Sequence, residues 1–399
     1  MKNLSYLVGR QVLVFCLFLI LVASVFFLLP VPMTHATDLI VTSDSDSGPG
    51  SLRDTISLAS VGDTILFSLA PSTVITLSSQ LEVTKSLVIS GPGESLLTIS
   101  GNNATRVLTT STGITLSLSG VTIADGNASG YGGGIYNSAN STLFLTSTRF
   151  YSNTATLDGG GISNRGALTI TKSTLTNNRV TSSTLSNGCA GGGAICNYTS
   201  SATAAVLNST LINNTAGVTN IGGGGIATIN GTVTISNTTF YSNSSTYVGG
   251  AIAAAGPVSI TNSTIFGNSA STSGGGIIVA FGNVVLRNTI VAASPSGGNC
   301  FGSITNGGNN IEDGTTCGWL FNNGSKSDTN PWLGPLADNG GPTLTMALLA
   351  GSPAINGVIF NTPNRCPPTD QRGATRPIGP RCDIGAYESG YLFLPLILK

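Results

Sequence analysis

The 399-residue chain carries 16 basic and 16 acidic residues, so its net charge is zero, and only 8% of its residues are charged. Ordinary globular chains carry about 25%; with 53 glycines and abundant Ser, Thr and Asn, this composition belongs to a membrane protein or a β-rich, repetitive exported one. A neutral balance gives no electrostatic footprint for a nucleic-acid partner.

Lys2 and Arg10 precede an apolar run over residues 12–29, and Thr34 and Ala36 are small residues around a cut. The pattern predicts a secretory signal peptide over 1–36, cleaved near Ala36. The alternative is an uncleaved anchor helix, since the run is long enough to span a bilayer. Residues 37–62 follow as a strand and a capping helix. Ser51-Leu-Arg-Asp54 has the form of a capping box. Leu52, Ile56 and Ala59 then share one helical face, which predicts a short lid over the end of a β column.

Residues 63–295 repeat. "LSLSGVTI", "LFLTSTRF", "LTITKSTL", "AVLNSTLI", "VTISNTTF", "VSITNSTI" and "VVLRNTIV" each place one apolar residue five positions before another. The first anchors are Leu118, Leu145, Ile170, Val206, Ile235, Ile260 and Val285. Their partners are Ile123, Phe150, Leu175, Leu211, Phe240, Ile265 and Ile290. Asn127, Asn153, Asn178, Asn214, Asn243 and Asn268 follow the second anchor, and Gly-rich turns precede Ile135, Ile162, Ile195, Ile226, Ile252 and Ile277. Short alternating segments with many β-branched side chains read as strands. One such unit cannot bury its apolar face alone, whereas stacked copies bury a continuous column.

A unit of about 25 residues with three short strands fits one coil of a parallel β-helix, its strands pairing about 4.8 Å apart. Gly supplies positive φ at the tight corner, and Asn tolerates the left-handed region. Stacked Asn amides are expected to form a ladder along the axis. The longer interval between Ile170 and Val206 holds "TLSNGCAGGGAIC", an inserted loop. The repeat ends near residue 296. Residues 296–390 hold both tryptophans and form a C-terminal cap region, and 391–399 are an apolar tail too short to span a bilayer.

Of seven cysteines, Cys16 lies in the signal segment. An even remainder in an exported chain predicts disulfides. Proximity in sequence suggests 189–196, 300–317 and 366–382. No cofactor or metal is expected: the sole histidine, His35, leaves with the signal, and no C-x-x-C spacing occurs.

G-G-[AG]-I beside F-x-x-N, as in "FYSN" with "GGGI" at 150–162 and "FYSN" with "GGAI" at 240–252, resembles the repeat of the polymorphic outer-membrane-protein family. "SGPGSLRDTI" is similar to the N-terminal cap of bacterial β-helix proteins with a pectin-lyase-like fold. "DNGGPTLTMALLAGSPAIN" followed by "DQRGATRPIGPRCDIGAYE" resembles a choice-of-anchor surface domain of type Q. These resemblances imply an all-β, right-handed, single-stranded parallel β-helix, exported and held at a bacterial cell surface. The chain departs from them in ending on "YLFLPLILK", without an L-P-x-T-G-type signal.

Pectin-lyase-like folds include enzymes, so the acids and bases decide between readings. Over residues 95–294 the acids are Asp125 and Asp158, and the bases are Arg106, Arg149, Arg165, Lys172, Arg179 and Arg287. Residues 180–286 carry no charge. Asp125 precedes the Asn corner and Asp158 a Gly turn, so both read as solvated turn aspartates rather than a pair for glycoside hydrolysis. Arg149 and Lys172 fall in one segment of successive coils, two positions out of register, and read as surface bases that a glycan could engage. Asp338, Asp370, Asp383 and Glu388, among Arg372, Arg376 and Arg381, suggest ion pairs in a cap, with a calcium site as the sharper alternative. No catalytic, cofactor or metal residue is therefore assigned. The expected function is a secreted or cell-surface, non-catalytic β-helix for adhesion, display or surface structure. The alternatives are a polysaccharide lyase or glycoside hydrolase, or a module that binds surface or extracellular polysaccharide without turnover.

Overall fold

The computed structural model of the chain describes residues 36–182, 189, 191–219, 221–319, 323–359 and 366–390. The expected signal segment, apart from Ala36, lies outside these residues, as do the tail and most of the inserted loop. Among the described residues the architecture is a parallel β-solenoid with one α-helix, α1 (Leu52–Leu58). Four parallel ladders run along it: sheet A with eleven strands, sheet B with ten, sheet C with nine and sheet D with six. One coil runs Thr142–Thr146 in A, Arg149–Tyr151 in B, Thr154–Ala155 in D and Ile162–Asn164 in C, before Ala167–Thr171 starts the next. The expected three strands per coil are thus joined by a two-residue fourth at the Asn corner.

Alternation explains which residues turn inward. In sheet A, Leu118, Leu145, Ile170, Val206, Ile235 and Ile260 pair in register, and all are buried. In sheet B, Ile123, Phe150, Leu175, Leu211, Phe240 and Ile265 do the same. In sheet C, Ile135, Ile162, Ile195, Ile226, Ile252 and Ile277 form the third column. Each fully buried side chain of this size contributes roughly 1.5–3 kcal/mol by leaving water. The final pair of anchors needs correction. Ile260 pairs with Leu286, and Ile265 with Val291. The last coil carries one extra residue, and with a side-chain period of two a slip of one turns Val285 outward.

Phe150 and Phe240 are the largest fully buried side chains. Space for Phe240 comes from the Gly-rich turn: a Cβ on Gly225 would lie 3.1 Å from its ring. The two short motifs at 240–252 and their neighbours therefore form one packing unit, glycine on one corner making room for the aromatic on another.

The Asn corner is a continuous ladder. Nδ2 of Asn153, Asn178, Asn214 and Asn243 each donates to Oδ1 of the next rung at 2.9 Å. The same Oδ1 accepts the backbone N–H of the preceding rung. All five residues, Asn268 included, are fully buried. Asn127 is not a rung: Gly126 occupies that slot and donates its N–H to Asn153, while Asn127 is exposed. A second ladder joins Asn137, Asn164 and Asn197 at 2.7 Å before sheet A.

Both ends of the column are plugged. Ser51 caps α1 by accepting the N–H of Asp54, and Leu52, Ile56 and Ala59 join the main core. At the other end strands continue to Ile311–Glu312, where Cys300, Cys317 and Trp319 complete the core. Cysteines pair 189–196, 300–317 and 366–382.

Beyond the plug the chain turns back along the outside of sheet B. A hairpin of Leu333–Ala337 with Thr345–Leu348 starts this strap. Ala354, Val358 and Ile384 then pack on Ile290 and Ala292. Ile290 stands in the outward column of sheet B that reads Thr122, Arg149, Thr174, Thr210, Thr239, Thr264 and Ile290. It is buried because the strap covers it. Gln371 accepts from Thr239 Oγ1 at 2.7 Å and donates to Thr210 Oγ1 at 2.8 Å, and Thr264 Oγ1 accepts the N–H of Ala386.

Two ion pairs and several bonds to turn N–H groups tie the charged side chains of the strap together. Arg372 pairs with Asp370 at 2.7 Å, and Arg376 with Glu388 at 3.3 Å. Asp383 accepts from the N–H groups of Asn356 and Ser389, and Glu388 from those of Ile378 and Asp383. Ion pairs and turn bonds therefore hold this cap. Asp338 stands apart from them, and no group of three or more metal-ligating side chains occurs among the described residues.

Candidate functional site

Between the strap and the first coils, the outer face of sheet B opens into a groove of about 410 Å3. Its floor is Arg149, Thr174, Thr176 and Ile212, one wall is Glu94, and the other is Asp338 with 341–344. Binding sites for small molecules occupy roughly 300–1,000 Å3.

Glu94 is placed by a Gly-Pro-Gly turn. Gly91 and Gly93 donate their N–H groups to the carbonyls of Ser119 and Gly120 on the next coil, and the Glu94 carbonyl accepts from Thr122 Oγ1 at 2.7 Å. A Cβ on Gly91 would sit 2.3 Å from the Gly120 carbonyl oxygen, so this approach requires glycine. Burial raises the Glu94 carboxyl above its usual range, and the attraction of Arg149 works against that rise. Arg149 is exposed on the floor, on the coil next to Thr122 and the Glu94 wall, with its guanidinium 4.9 Å from the Tyr151 ring centre. Asp338 is exposed in a tight turn whose Gly340 N–H it accepts. Arg372 fixes that turn by donating to the Asn339 carbonyl.

The groove therefore offers two carboxylates, one guanidinium, threonine hydroxyls and the apolar side chains of Ile212, Pro342 and Leu344. Carboxylates accept from hydroxyl groups, and guanidinium donates. With two acids to one base, the lining disfavours a polyanion.

The sequence candidates fall in other places. Asp125 has φ of 49° and occupies a corner column with Ser152, Asn177, Asn213 and Ser242, all of positive φ. It serves the turn, beside Ser100 at 3.5 Å. Asp158 is not the solvated turn residue that its position suggested. It is fully buried, 3.5 Å from Arg165, and accepts the N–H of Cys189. Burial pushes its carboxyl up, while Ser163, Arg165 and the Cys189 N–H favour the charge. Arg165 in turn lies 4.6 Å and 4.5 Å from the ring centres of Tyr131 and Tyr198. The two aspartates serve different corners with different partners. Lys172 sits on the A–B corner at φ of 51°, and of the two surface bases it is Arg149 that lines the groove.

Glu94 and Asp338 were missed as a site because they lie 244 positions apart and only the returning strap brings them to one groove. Glu94 also falls one residue before the acid-poor span 95–294. The "GPGE" turn was the available signal, since a rigid corner can aim a side chain.

No family model matches the chain, and no curated protein matches it. Solved structures do. The cedar pollen major allergen jun a 1 is similar at 17% identity and a TM-score of 0.37, over 68% of this chain and 81% of that one. The ORF18 protein of Geobacillus virus E2 gives 11% and 0.33, over 77% and 63%. AlyGC, a PL6 family alginate lyase, gives 12% and 0.29, over 90% and 59%.

Proposed function

We propose that this chain is an exported, non-catalytic β-helix protein of a cell surface that holds a neutral, hydroxyl-rich glycan in the sheet B groove. The observation that carries the reading is Arg149, exposed in a groove that Glu94 and Asp338 also line, on a floor otherwise made of hydroxyl and apolar side chains. Three disulfides fit folding in an oxidising compartment. Among the described residues no helix is long and apolar enough to cross a membrane.

A second reading, glycoside hydrolysis, is favoured by one feature. Glu94 has the raised carboxyl of a general acid and faces a second carboxyl group, Asp338, across the groove. A panel of neutral and acidic polysaccharides, assayed for binding, reducing ends and unsaturated products, separates the two. Retention without product is the expected result. Product formation lost in both Glu94→Gln and Asp338→Asn would replace the non-catalytic reading with hydrolysis.

A further inference from the structure

The outward column of sheet B is closed on both sides of the groove by different parts of the chain. Thr122 is 7% exposed because the Glu94 turn sits on its hydroxyl. Thr210 is fully buried because its hydroxyl donates to the Leu344 carbonyl at 2.7 Å, and Gln371 crosses beside it. Only Arg149 and Thr174 of the column lie open between them.

From these walls we infer that the ligand is a short saccharide or the terminal units of a longer glycan, and not the interior of an extended chain. The inference rests on the glycan reading above. Walls stand on Thr122 and Thr210, three strand spacings or about 14 Å apart, so the open floor over the two strands between them is about 10 Å, room for roughly two sugar rings end to end. Continuing along the axis would require displacing one of two pinned elements. One is the Gly-Pro-Gly-Glu turn, hydrogen-bonded to the next coil through Gly91 and Gly93. The other is the strap, held by Gln371 on Thr210, Thr239 and Thr343. Along the strands the face is also short. Arg149–Tyr151 spans about 10 Å before Ser152 and Asn153 turn the backbone away. In either direction contacts end after a few units, so added length brings no added contact.

The test is calorimetric binding of the full chain to cello-, laminari-, manno- and chito-oligosaccharides of one to six units. The parent polymers are compared intact and sheared at equal mass. In whichever series binds, affinity should rise to about two units and then stay level. Sheared polymer should bind more per mass, in proportion to its chain ends. Arg149→Ala should abolish binding at every length. An affinity that still climbs about tenfold between three and six units, or polymer binding that ignores the number of ends, overturns the inference while leaving glycan binding intact. Binding unchanged in Arg149→Ala places the ligand elsewhere and overturns it too. Failure of every saccharide to bind removes the glycan reading, and the inference with it.

Discussion

Asn178→Ala should be among the most damaging single changes in this chain. The side chain makes four buried hydrogen bonds. It donates to Asn214 Oδ1 at 2.9 Å and to the Phe150 carbonyl at 3.1 Å, and accepts from the N–H and Nδ2 of Asn153. At about 1 kcal/mol net for each bond, and 1–3 kcal/mol more for a donor left buried without an acceptor, the loss is about 5–7 kcal/mol. Asn127 is the matched control. It occurs at the equivalent place in the sequence repeat, but it is exposed and lies outside the ladder. Asn127→Ala should stay within about 0.5 kcal/mol of the parent. Guanidinium midpoints read by circular dichroism decide the matter. A loss below about 1.5 kcal/mol for Asn178→Ala, or equal losses for the two variants, would refute the claim that the ladder, and not the motif, carries the stability.

Three further outcomes follow from the two ends and the strap. Gln371→Ala removes bonds to Thr210, Thr239, Thr343 and the Leu344 carbonyl. Limited proteolysis should then cut within 338–390 while the coils remain intact; an unchanged digestion pattern would show that Gln371 does not hold the strap. Burial raises the carboxyl of Glu312, which sits under the C-terminal plug. Its stabilising contribution is thus complete below the unfolded value near 4.5 and is lost as pH rises through the higher folded value. The difference in Tm between the parent and Glu312→Gln should therefore change in the parent's disfavour from pH 4.5 to pH 8, and a pH-independent difference would contradict it. Replacing Cys300 and Cys317 by Ser should cost about 2–4 kcal/mol and raise the exposure of Trp319, read by fluorescence quenching; unchanged quenching would mean the plug stands without the bond.

Most of the fold was legible because one period governs it. Inward Ile and Leu, Gly-rich corners and Asn rungs recur at nearly equal spacing, and α1 announced itself through Ser51 and Asp54. Three positions were misplaced by a single residue, Asn127, Val285 and Ile290. In a strand one position reverses the face, and a spacing of 25 or 26 residues cannot be distinguished from the apolar pattern when Val284, Val285 and Leu286 are consecutive. The groove was not legible for another reason. It depends on a contact between Thr210 and Leu344, 134 positions apart, and the strap has no periodicity to indicate its course. Asp158 was misjudged because a turn residue is ordinarily solvated, whereas Arg165 and its flanking tyrosines cover this one.

The strap also bears on how such a chain can change in length over evolution. A bare solenoid grows or shrinks by whole coils, since each coil meets its neighbours in the same way. Here Gln371, Ala386 and Ile384 engage Thr210, Thr239, Thr264 and Ile290, one on each of four successive coils. Removing or duplicating a coil within that stretch would put every one of these contacts out of step. Coils before Thr210 meet no such gauge. Variation in coil number among descendants of this sequence should therefore accumulate on the groove side and be absent beneath the strap.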